Sequence, residues 1–140
     1  MNKLVPILIG LTFFPMLVMI ACSQSADGEV KADLNKEFRL PVGQTAVIAG
    51  EGLTIKFEAV TADSRCPQGV TCIWAGEANC QAAVTLNKTI NPYNLKVSSS
   101  GLGQTVVLGY TFNIINLEPY PQAEKTTDKN SYVLVMKVSK

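Results

Sequence analysis

No histidine occurs anywhere in the 140 residues of this chain. That absence removes the side chain that most often moves protons in enzymes and most often holds metals. Proton transfer would fall to scattered lysines and carboxylates, and neither a Ser-x-x-Lys nor a Gly-x-Ser-x-Gly pattern accompanies them. Asp63, Glu77 and Glu118 are not spaced so as to predict a catalytic pair, and a noncatalytic protein is the expectation. Close C-x2-C pairs are missing too; the spacings present are C-x5-C and C-x7-C. This removes the usual zinc and dithiol redox signatures. Three thiolates with Asp63 or Glu77 would be the one route to zinc, and a thiolate pair the route to copper(I); neither metal nor cofactor is expected. There is also no internal repeat, no low-complexity segment and no long amphipathic helix pattern.

What is present begins with "MNKLVPILIGLTFFPMLVMIACSQS". One lysine, Lys3, precedes an apolar stretch over residues 4–21 that ends in Ala21 and Cys22, the order of a secretory signal peptide. Met19-Ile20-Ala21-Cys22 resembles the bacterial lipobox, with Met19 where leucine is usual. The resemblance implies cleavage before Cys22, acylation of its thiol, and a protein held at a membrane through those chains. A retained transmembrane anchor is the alternative, since about 18 apolar residues can just span a bilayer. Pro6, Pro15, the missing stop-transfer charges and the placement of Cys22 favour cleavage. Ser23 follows Cys22 in place of the aspartate that favours inner-membrane retention, so the expected location is the bacterial cell envelope at the outer membrane.

Residues 1–21 are therefore read as signal peptide, 22–36 as a lipidated polar tether and 37–140 as one domain. Loss of Lys3 leaves eleven basic against eleven acidic side chains, a neutral protein with no footprint for nucleic acid. Val30, Leu34 and Phe38 fall four apart, enough to raise a short helix. Beyond them the apolar period is two. Leu53, Ile55, Phe57 and Ala59 form one face of a strand; Ala78, Cys80, Ala82, Val84 and Leu86 form another. Two glycines in "IAGEGL" predict a hairpin turn after a strand at Thr45–Ile48. Asn91-Pro92 and "SSSGLG" predict turns around a short strand at 95–97, and Gly109 in "VVLGYTFNIINL" a bulge. "EPYPQAEKTTDKNS" reads as a surface loop, and Tyr132, Leu134, Met136 and Val138 as the inner face of a last strand. The fold class is all-β: an antiparallel β-sandwich of about seven or eight strands, with a small β-barrel as the alternative.

Three cysteines and the one tryptophan crowd into "DSRCPQGVTCIWAGEANC", residues 63–80. An extracytoplasmic setting favours oxidation of close thiols. Rings of seven, nine or fifteen residues would remove loop entropy worth about 2.4, 2.6 or 3.0 kcal/mol, differences too small to choose a pair. Periodicity separates them, because Cys80 shares a face with Ala78, Ala82 and Val84 and behaves as a small core residue. Cys66 and Cys72 flank the turn-forming Pro67-Gln68-Gly69-Val70-Thr71 and are expected to form the disulfide.

"DSRCPQGVTCIWAGEA", an apolar strand after it and a later "NLEPYP" resemble an uncharacterised family of bacterial secreted and lipid-anchored proteins. These share an S-R-C-P-x-x-V-x-C-x-W-A-G segment and an aromatic-proline loop. The resemblance implies the same cysteine pair and a β-rich fold, and carries no activity. Cys80 is a departure from the family pattern.

The candidate binding residues are Tyr120, Trp74 and Arg65. Trp74 is expected to pack beside the bridge, with ligand contact as the alternative. Arg65 is expected to pair with Asp63 or Glu77 or to stack on Trp74. Tyr120, between two prolines, is a structural cap or a binding aromatic. The functional expectation is a noncatalytic envelope module binding a protein or glycan. The alternative is an inhibitor of an extracytoplasmic peptidase acting through the stapled 66–72 loop.

Overall fold

A computed structural model describes residues 28–99 and 103–140. The signal peptide, Cys22 and the tether up to residue 27 lie outside the described residues. Nine strands build two open sheets, and no long helix is present among the described residues. The first sheet has the order β1 (Glu29–Ala32), β3 (Thr45–Ile48), β4 (Leu53–Asp63), β5 (Glu77–Leu86), β6 (Thr89–Ser98). The second has the order β2 (Glu37–Pro41), β9 (Val133–Ser139), β8 (Tyr110–Glu118), β7 (Gly103–Val107). All pairings are antiparallel except β1 with β3. The fold is a β-sandwich, and the sheets do not close into a barrel.

Alternation of apolar side chains sets which face turns inward. Leu53, Ile55 and Phe57 of β4 are wholly buried, as are Ala78, Cys80 and Val84 of β5 and Leu134, Met136 and Val138 of β9. Leu95, Val97, Phe112, Ile114 and Leu117 complete one apolar layer between the sheets. A register shift between Phe57 and Ala59 slips the phase of β4, so that Val60 turns inward and Ala59 does not. The bulge is what the simple period misses.

Four local expectations are corrected. Val30, Leu34 and Phe38 lie in no helix: Val30 is in β1 and Phe38 in β2, with a turn between. Parallel pairing with β3 therefore brings Glu29–Ala32, which their polarity assigns to the tether, into the sheet. Pro92 does not end a strand, because β6 is the outer strand of its sheet and a missing N–H is tolerated there. Gly109 makes no bulge. Leu108 and Gly109 both take positive φ, 51° and 84°, and close a two-residue hairpin between β7 and β8.

The register also sorts the loops. Asp63, Glu77, Ser98, Glu118 and Val133 all end or begin strands at one end of the sandwich, which gathers loop 64–76 and loop 119–132. Among the described residues, the connections at the opposite end are short turns, at 33–36, 49–52, 87–88 and 108–109.

Candidate functional site

Loop 64–76 continues the β4–β5 ladder before it opens. Ser64 N–H donates to Glu77 O at 2.9 Å and Cys66 N–H to Ala75 O at 2.9 Å. Gly76 makes this close approach feasible. Its φ is +71°, and a Cβ there would stand 1.8 Å from the Ser64 carbonyl oxygen, so no other residue fits. Ser99 Oγ donates to the carbonyls of Ala75 and Gly76, tying the base of the loop to the end of β6.

Beyond that base, Cys66 and Cys72 form the expected disulfide, with Cα atoms 5.9 Å apart, and Cys80 is free and buried. Burial pushes the Cys80 thiol up to about 12, against an opposing pull from Arg65. The stapled ring is anchored on one side, where Gln68 N–H donates to Pro121 O at 2.9 Å and Ala123 N–H to Gln68 O at 3.4 Å. Gly69, Val70 and Thr71 are exposed, so the ring projects from the domain.

Arg65 is the one buried charged residue of the described structure, 3% exposed. It answers the pairing question in favour of Asp63, bonding Oδ1 through Nε at 2.8 Å and Oδ2 through Nη2 at 2.7 Å. Nη1 donates to Leu117 O at 2.6 Å and Nη2 also to Pro119 O at 3.1 Å, which fastens loop 119–132 to the end of β4. Asp63 in turn accepts the Tyr132 hydroxyl at 3.1 Å. Burial alone would raise the Asp63 carboxyl, but the hydrogen bonds and charge of Arg65, helped by Tyr132, outweigh it and hold the pKa below its ordinary value. Burial and the Asp63 charge both push the Tyr132 phenol up.

The stacking partner of Arg65 is Tyr120, not Trp74: the guanidinium carbon lies 5.0 Å from the Tyr120 ring centroid. Tyr120 is half-buried and lines a groove of about 320 Å³ with Gln122, Lys125, Thr126, Thr127 and Asp128. Trp74 does not pack beside the disulfide. It is 82% exposed, because the ladder that fixes Ala75 and Gly76 turns the preceding residues outward. Its side chain borders a shallow depression of about 430 Å³ with Ser64, Gly76, Glu77 and Ser98. Ile73, 99% exposed, and Val70, 50% exposed, stand near it in sequence and were not singled out by their residue types.

The three candidate residues thus separate. Arg65 is a buried clamp, Tyr120 is a partly open aromatic held by it, and Trp74 belongs to an exposed tip. Sequence reasoning missed Tyr132 and the carbonyls of Leu117 and Pro119; only the Asp63-x-Arg65 spacing, which places both on one side of an extended chain, was a signal. Among the described residues, no group of three or more His, Cys, Asp or Glu side chains is placed to hold a metal ion. No helix among them is long and apolar enough to cross a membrane. Comparison with protein-family models, with curated proteins and with solved structures finds no match.

Proposed function

We propose that this chain is a noncatalytic module of the bacterial cell envelope, anchored in the outer membrane by acyl chains on Cys22, that binds an envelope protein or glycan at the loop end of its sandwich. The observation that carries the binding assignment is the setting of Tyr120. Its ring is stacked on a buried arginine held by four side-chain hydrogen bonds while bordering a groove lined by hydroxyls, an amide and one charge of each sign. An aromatic already held in place has little ordering left to lose on binding, and the polar groups beside it supply direction. The Cys66–Cys72 bridge supports an oxidising compartment, and the neutral mature charge argues against a nucleic-acid partner.

The test is site-directed photocrosslinking in the native envelope from position 122, in the groove, with position 88 at the opposite end as control. A partner protein or glycan fragment captured from 122 and not from 88 supports the assignment. Equal capture at both ends removes it.

A second reading rests on the ring itself. Residues 69–71 are exposed and closed at their base by the disulfide, the form of a loop presented to a peptidase cleft. Under that reading the purified chain inhibits an envelope peptidase and Cys66→Ser abolishes inhibition. Turnover of the loop as an ordinary substrate would exclude it.

A further inference from the structure

Three of the six large hydrophobic side chains exposed among the described residues, Val70, Ile73 and Trp74, fall within five positions of one loop. No charged residue occurs from 66 to 76. The ionised groups flanking that span are occupied: Asp63 and Arg65 with each other, and Glu77 with Lys96 at 2.9 Å. We infer that this tip enters the headgroup region of the lipid bilayer to which Cys22 is attached, and so fixes the orientation of the domain on the membrane. The inference rests on the anchoring reading above.

Direction and reach single out a bilayer as the occupant. β1 begins level with Thr45 and Lys56, Thr45 N–H donating to Gly28 O at 3.0 Å, and ends level with Ile48 and Leu53. It therefore runs away from the cysteine loop, and the chain enters the sheet from the loop side. Lys56 pairs with Ala83 and Asp63 with Ala78, so the entry point lies five residues of β5 from the loop base, about 17 Å. Five residues separate Cys22 from Gly28, six steps of the chain with a reach of at most about 20–22 Å. Even a fully extended tether would carry Cys22 no farther out than about the level of the loop base, so a bilayer holding its lipid lies within reach of the tip beyond that base.

The composition of the tip suits that surface. Tryptophan favours the membrane–water boundary, where its ring is buried and its N–H stays hydrated, and isoleucine and valine add apolar area. The absence of charge from 66 to 76 means that insertion strips water from no ion.

Trp74 is the only tryptophan in the chain, so intrinsic emission reports this residue alone. The full-length gene product, extracted from its membrane, is reconstituted into vesicles of phosphatidylethanolamine and phosphatidylglycerol, with and without bromine on the acyl chains. The expected result is quenching by brominated lipid and protection from aqueous iodide. Ile73→Ser, at a fully exposed position that cannot disturb the core, should lose much of the bromine quenching. Emission quenched by iodide and indifferent to bromine would overturn the inference. So would shielding found only in native envelope vesicles, which would identify a protein cover, or shielding that grows with protein-to-lipid ratio, which would identify a second copy. Intact mass on the same sample separates the two levels: an unacylated Cys22 removes the anchoring reading and this inference together, whereas an acylated Cys22 with an unquenched Trp74 removes the inference alone.

Discussion

Arg65 and Asp63, two positions apart at the end of β4, form a two-pronged ion pair at 2.8 and 2.7 Å in which the arginine is almost wholly buried. Two further donors of the guanidinium go to carbonyls more than fifty residues away. One side chain therefore joins the cysteine loop, the end of β8 and the Tyr120 loop. Arg65→Met should destabilise the domain by about 3–5 kcal/mol, because it strands two carbonyls and the Asp63 carboxylate, whose side chain is only 10% exposed. Arg65→Lys should recover only part of this, lacking the planar fork. Urea denaturation of the three proteins measures it; a loss below 1 kcal/mol for Arg65→Met would reduce the clamp to a bystander.

Acid should act through the same pair. The folded Asp63 pKa lies below its unfolded value of about 3.9, so its contribution is complete above that value and is lost as pH falls through the folded one. Glu51, bonded to Tyr110 and Lys140, and Glu118, bonded to Arg39, are shifted the same way and add to the slope. Asp63→Asn should be less stable than the parent at neutral pH and converge on it below pH 4. Parallel stability curves across that window would contradict the assignment.

Much of this architecture was legible in the residues. The period-two faces of β4, β5 and β9 name the core correctly up to the bulge that turns Ala59 away and Val60 inward, and the placement of Cys80 on such a face separates it from the Cys66–Cys72 pair. What escaped depends on partners distant in sequence. β1 is a strand because β3 offers it an edge, not because Glu29–Ala32 is apolar. Trp74 is exposed because Gly76 and Ser99 fix the loop base, whereas the residue type alone argues for burial. Arg65 finds backbone carbonyls, which leave no mark in a sequence.

Gly76 is the cheapest place to test that loop base. Gly76→Ala adds a Cβ into the Ser64 carbonyl at a positive φ and should cost about 1–3 kcal/mol. Gly69, also at positive φ but with nothing within 4 Å, should lose less on the same change. Thermal melts of both variants decide it, and equal losses would show that crowding at Gly76 is relieved elsewhere.

Cys80 should be silent in the folded protein. A thiol pushed up to about 12 and shielded from solvent should resist alkylation at pH 8 until denaturant is added. Cys80→Val should keep the fold, and Cys80→Ala should cost more, about 1 kcal/mol, through the cavity it leaves. Rapid native labelling would show that the inner face of β5 opens.

The most direct test of a stapled, lipid-anchored envelope module is peptide mapping of the chain extracted from its own membrane, alkylated without reduction. The expected map has an N-terminal peptide beginning at acylated Cys22, a Cys66–Cys72 cross-link, and an alkylated Cys80 recovered only after unfolding. An unmodified Cys22 together with free thiols at Cys66 and Cys72 would contradict both the anchor and the staple.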